Sequence, residues 1–118
     1  MPRGYHAGVN GSVDRASIGK LVRDRIPERF PASRYRVLAE AEYEAALRAK
    51  LTEEVGEYLA DGTPEELADV LEVLHALATR HGLTPGDLER LRAQKAAERG
   101  AFAGRVWLDL PNGEPNAR

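Results

Sequence analysis

The chain has no cysteine, one methionine and one tryptophan, and only three histidines among 118 residues. Without cysteine there is no disulfide framework and no thiol nucleophile. No apolar run approaches the roughly 20 residues that a membrane-spanning helix needs. The opening stretch, MPRGYHAGVNGSVDRASIG, lacks the apolar centre of a signal peptide. Charge of neither sign dominates: 17 Lys and Arg stand against 19 Asp and Glu, a net charge of −2. That balance gives no electrostatic argument for a nucleic-acid polymer or a membrane as partner. Internal repeats are absent too. The expectation is one small soluble domain in the cytoplasm.

What is present is helical. Apolar residues make up 42% of the chain, enough for a folded core. Residues 1–17 are polar, glycine-rich and aperiodic, and are expected to be a flexible tail in which His6 is an ordinary exposed side chain. The domain proper is expected over 18–110, followed by a frayed C-terminus at 111–118, PNGEPNAR. Pro27 can open a short helix reaching Phe30. Three main helices are expected over 39–61, 64–81 and 84–99, closed by Gly62, Gly82 and Gly100. Thr63-Pro64-Glu65-Glu66 and Thr84-Pro85-Gly86-Asp87 both read as capped helix starts, the second with Leu83 and Leu88 as a staple. The short links make the helices antiparallel. RYRVL (34–38) and RVWLDL (105–110) alternate and read as short peripheral strands that pair. The fold class is therefore all-α, an antiparallel bundle. Its amphipathic helices are too few to cover one another, so oligomerisation is expected to complete it.

The chemistry is concentrated in KLTEEVGEYLADGTPEELADVLE, residues 50–72. Glu53, Glu54 and Glu57 end one helical pattern, and Glu66 and Asp69 begin the next across a short turn. On the first helix Leu47, Leu51, Val55, Tyr58 and Leu59 form an apolar stripe. Glu54 lies at its edge, Glu57 about 60° away, and Glu53 further towards solvent. Glu66 falls inside the apolar arc of the second helix, with Asp69 beside it. Each of these residues has a bland explanation. Glu66 suits a capping box, acidic first turns suit the helix dipole, and glutamates on a helix are usually solvated. The whole set on two helices forced together favours a metal site. Several carboxylates with no thiolate and few imidazoles select Mg²⁺, with Mn²⁺ as substitute, over zinc. A di-iron bundle expects paired Glu-x-x-His motifs, and only Glu72–His75 fits. Lys20, Arg23 and Arg25 form a basic cluster. It reads either as solvated surface or as an edge facing phosphate.

Four segments together, KLVRDRIP, EYEAALRAKLTEEVGEYL, PEELADVLEVLHAL and KAAERGAFAGRVWL, resemble the MazG-type all-α nucleoside triphosphate pyrophosphohydrolases, in the branch labelled phosphoribosyl-ATP pyrophosphohydrolase-like. The resemblance spans roughly residues 20–110. The family signature E-E-x-x-E then E-x-x-D is met by Glu53, Glu54, Glu57, Glu66 and Asp69. It implies cleavage of a nucleoside triphosphate or related nucleotide to monophosphate and pyrophosphate, with Mg²⁺ as cofactor, as a house-cleaning activity. It further implies Glu54, Glu57, Glu66 and Asp69 as metal ligands, and Glu53 with Glu54 as the residues that orient or deprotonate water. Lys50, Lys95, Arg99, Arg23 and Arg105 are the implied phosphate contacts, and a homodimer or homotetramer the implied assembly. The connection between the motif halves is shorter than in the histidine-pathway enzyme, so phosphoribosyl-ATP is not assigned as substrate. The alternative of another class is a non-catalytic helical dimer that binds nucleotide or protein as a sensor or adaptor.

Overall fold

A computed structural model describes residues 19–111, and among them the regular structure is entirely helical. The four helices are α1 (Ile26–Arg29), α2 (Glu40–Asp61), α3 (Pro64–Arg80) and α4 (Pro85–Arg99). Three of them match the main helices expected, to within a residue at each end. The expected tail at 1–17, with His6, lies outside the described residues, as do residues 112–118. No helix among the described residues is long and apolar enough to cross a membrane.

Local chemistry sets the helix ends. Helix α2 opens where the Ala39 N–H donates to the Glu42 carboxylate at 3.1 Å. It stops at Gly62, whose φ of 69° is left-handed and whose N–H donates to the Tyr58 carbonyl at 2.7 Å. A β-carbon there would be strained, so glycine ends the helix cleanly. At α3 only half of the capping box forms. The Glu66 carboxylate accepts from the Thr63 hydroxyl at 3.1 Å and its N–H at 3.5 Å, while the Glu66 N–H uses the Thr63 carbonyl.

At α4 both halves are made: the Asp87 N–H donates to Thr84 Oγ1 at 3.0 Å and the Thr84 N–H to the Asp87 carboxylate at 2.9 Å. The backbone hydrogen bond from Thr84, then its hydroxyl and the nearby Arg90, hold the Asp87 carboxyl below its ordinary value of 3.8. A depressed folded-state pKa stabilises the fold above the ordinary value, and that contribution disappears as pH falls through the depressed one. Asp87→Asn should therefore lower the melting temperature by about 4 °C at neutral pH. Melts taken at successively lower pH should show the gap to the parent closing below pH 3.8. A gap independent of pH would assign the effect to something other than this carboxylate.

The two expected strands are absent. Residues 34–38 and 105–110 are irregular, and no backbone hydrogen bond joins them. Val37 and Val106 are 96% and 93% exposed. Alternation specifies a strand only where one face is buried, and neither segment has a surface to lie on. Arg105, at φ 56°, also breaks the extended run at its first residue.

Helix α2 packs along α3, and α4 packs on α3 without touching α2. The buried apolar side chains are small or few: Ala46, Leu47, Val73 and Ala78. Arg80 ties the far end of α3 to the start of α2, reaching Glu40 at 2.8 Å and Glu44 at 3.6 Å beneath the Tyr43 ring. That pairing lowers the Glu40 carboxyl and raises the Arg80 guanidinium. The rotation of α2 departs from the expected one. Successive residues turn by about 100°, so Glu53, Glu57, Lys50 and Glu54 share an arc with Ala46 and Leu47, and this arc faces inward. The stripe through Val55 and Leu59 is left outside, at 38% and 77% exposure. Leu67, Leu71 and Leu74 of α3 are exposed as well.

Candidate metal centre

Among the described residues the four buried charged side chains are all glutamates: Glu53, Glu54 and Glu57 on α2 and Glu66 on α3. Glu53 is the most buried of them, against the expectation that it points towards solvent. One carboxylate oxygen from each of Glu53, Glu54 and Glu57 lies within 4.8 Å of the others. Their spacing i, i+1, i+4 places all three on one helical arc. Three carboxylates held this close repel one another strongly unless cations intervene.

Two ammonium groups supply part of that compensation. Lys50 is one turn before the cluster and reaches Glu53 at 3.4 Å and Glu54 at 3.0 Å. Lys20, 33 residues away in sequence, reaches the other Glu53 oxygen at 3.3 Å. What remains is a polar atom without a donor. Glu54 Oε2 meets Lys50, but Glu54 Oε1 is buried with no hydrogen-bond partner. Leaving a buried acceptor unsatisfied costs about 1–3 kcal/mol, and more for a charged group.

A divalent cation fits this donor set. The ligands are hard oxygens with no competing nitrogen or sulfur. Adjacent oxygens about 2.1 Å from Mg²⁺ stand roughly 3 Å apart, so oxygens within 4.8 Å of one another need to close by at most about 2 Å to share one. Bound there, the cation would meet the orphaned Glu54 oxygen.

The other expected residues are placed differently. Glu66 is buried on the facing helix, outside the tight group, with its Oε1 held by Thr63. Asp69 is partly exposed and bound by Arg23 at 2.7 Å. Among the expected phosphate contacts, Lys50 and Arg23 thus sit on carboxylates. Lys95, Arg99 and Arg105 are exposed, and none of them pairs with these carboxylates among the described residues. Comparison with protein-family models, curated proteins and solved structures returned no match. The site must therefore be read from its own chemistry.

Sequence reasoning missed Lys20 as a partner of the cluster. It missed Lys50 as well, expected only as a phosphate contact, although its i, i+3 and i, i+4 spacing to Glu53 and Glu54 is a signal that could have found it. Nothing local in the sequence ties Lys20 to Glu53, since that contact exists only once the segment before α1 crosses the hairpin.

Proposed function

We propose that this chain is a Mg²⁺-dependent nucleotide pyrophosphohydrolase of the MazG type, acting on a nucleoside triphosphate or related nucleotide. The observation that carries the reading is the buried Glu53–Glu54–Glu57 group with its unsatisfied Glu54 oxygen. A polyphosphate brought against such a pocket needs cations between the two sets of oxygens. When bound, Mg²⁺ would neutralise phosphate charge and make water a better nucleophile.

The roles proposed for the chain's own residues follow from position. Glu54 and Glu57 hold the metal, the burial of Glu53 within the tight group adds it to that set, and Glu66 and Asp69 join it only by giving up Thr63 and Arg23. Glu53 also suits the proton acceptor for the attacking water. Water adds to the α-phosphorus, the α–β anhydride bond breaks, and pyrophosphate leaves with its electron pair. The basic residues Lys50 and Arg23 lie at the pocket to meet phosphate oxygens. Lys95, Arg99 and Arg105 are phosphate contacts only if a second copy brings them to the site. A homodimer or homotetramer is proposed, because Val55 and Leu59 of α2 and Leu67, Leu71 and Leu74 of α3 are left exposed.

Incubation with a panel of nucleoside triphosphates and Mg²⁺ tests the reading directly. Monophosphate and pyrophosphate should appear in equal amounts and vanish on chelation. Nucleotide binding without either product would favour a non-catalytic sensor or adaptor. Neither binding nor product would remove both.

A further inference from the structure

The segment before α1, residues 19–25, has no regular structure, yet it spans the acidic pocket. Its half-buried Leu21 and Val22 anchor it, Lys20 sits on Glu53 of α2, and Arg23 sits on Asp69 of α3. The two ammonium groups on Glu53 are held unequally. Lys50 belongs to α2, contacts two carboxylates and is 15% exposed, whereas Lys20 makes one contact from an irregular segment and is 33% exposed. A divalent cation seated on Glu53, Glu54 and Glu57 would meet both ammonium charges at close range. Repulsion expels the one that is held less firmly.

Resting on the metal-centre reading above, we infer that Lys20 is a placeholder counter-ion that exchanges partners. In the metal-free protein it satisfies Glu53. Once a divalent cation takes up that carboxylate's charge, the Lys20 ammonium is released at the rim of the pocket and binds phosphate oxygens of the incoming polyphosphate. A compact charge on a flexible four-carbon stem suits such a transfer, and three donors accept any phosphate orientation. The half-buried Leu21 and Val22 keep the segment across the hairpin during the exchange. Lys20 thereby opposes binding of the metal and favours binding of the anion.

This pairing of opposite effects separates the exchange from a structural role. Calorimetric titrations of the full chain would use Mn²⁺ alone, then inorganic pyrophosphate as its Mg²⁺ complex at saturating Mg²⁺. In Lys20→Ala, Mn²⁺ should bind about fivefold more tightly and the pyrophosphate complex about fivefold more weakly, the scale of one partly exposed ion pair. Lys20→Gln, which keeps the stem, should shift both affinities in the same directions. Mn²⁺ affinity equal to or below the parent's in both variants, or unchanged pyrophosphate affinity, would overturn the exchange while leaving the metal centre standing. No Mn²⁺ binding by the parent or by either variant would remove the metal centre and the exchange with it.

Discussion

Glu54→Gln should make the metal-free protein more stable and leave it unable to bind Mg²⁺. The stabilisation follows from burial. Glu54 is 6% exposed, lies within 4.8 Å of two other carboxylates, and has one oxygen without a donor. The amide removes a charge from this group and adds two donors. It weakens the pair with Lys50, but Lys50 retains Glu53 at 3.4 Å. Relief of the unsatisfied buried oxygen, about 1–3 kcal/mol, adds to the removed repulsion from Glu53 and Glu57, and the two together outweigh the weakened contact with Lys50. A melting temperature about 4 °C or more above the parent is therefore expected without metal. With millimolar Mg²⁺ the order should reverse, because only the parent gains from the ligand. Turnover of a nucleoside triphosphate should fall by about 100-fold or more. Melting curves of both proteins with and without Mg²⁺ check this. A variant less stable than the parent in both conditions would show that Glu54 is a structural carboxylate.

The second large effect concerns the exposed apolar side chains of α2 and α3. Leu67→Glu with Leu71→Glu should convert the proposed assembly to a monomer and lower its melting temperature by more than 10 °C, on the scale of several kcal/mol at about 4–8 °C per kcal/mol. Leu59, Leu67 and Leu71 are between 49% and 77% exposed, while among the described residues only Ala46, Leu47, Val73 and Ala78 are buried apolar side chains. At roughly 1 kcal/mol per half-exposed aliphatic side chain, covering five of them contributes on the order of 5 kcal/mol per chain before the cost of association. On a free surface the same substitutions would change stability by only about 0.5 kcal/mol each. Sedimentation velocity decides between these. A parent already monomeric at micromolar concentration, with a double variant equally stable, would remove self-association.

The sequence was most legible where local chemistry acts alone. Thr84, Pro85 and Asp87 fix the start of α4, and Gly62 fixes the end of α2, because caps and left-handed glycines depend on a few adjacent residues. The strands at 34–38 and 105–110 were misread for the converse reason. Period-two alternation needs a sheet to bury one face, and whether a sheet exists is not a local property. Of the five acidic residues expected together, the structure groups Glu53, Glu54 and Glu57 and leaves Glu66 and Asp69 outside. Helical spacing set Glu54 and Glu57 side by side, but the ordinary preference for apolar residues inside turned Glu53 towards solvent and pointed the stripe through Val55 and Leu59 at α3. The structure turns the glutamates inward and leaves Val55 and Leu59 out. That inversion is costly in a lone apolar interior and sensible around a cation, with the apolar stripe free to meet a second copy.

Electron paramagnetic resonance of Mn²⁺ titrated into the metal-free chain tests the central claim most directly, since free and bound ion are counted without reference to catalysis. Saturable binding that Mg²⁺ displaces is expected, weakened at least about 100-fold in both Glu54→Gln and Glu57→Gln. Free-ion signal rising in strict proportion to added Mn²⁺ in the parent, or variants that bind as the parent does, would contradict a metal centre on the inward face of α2.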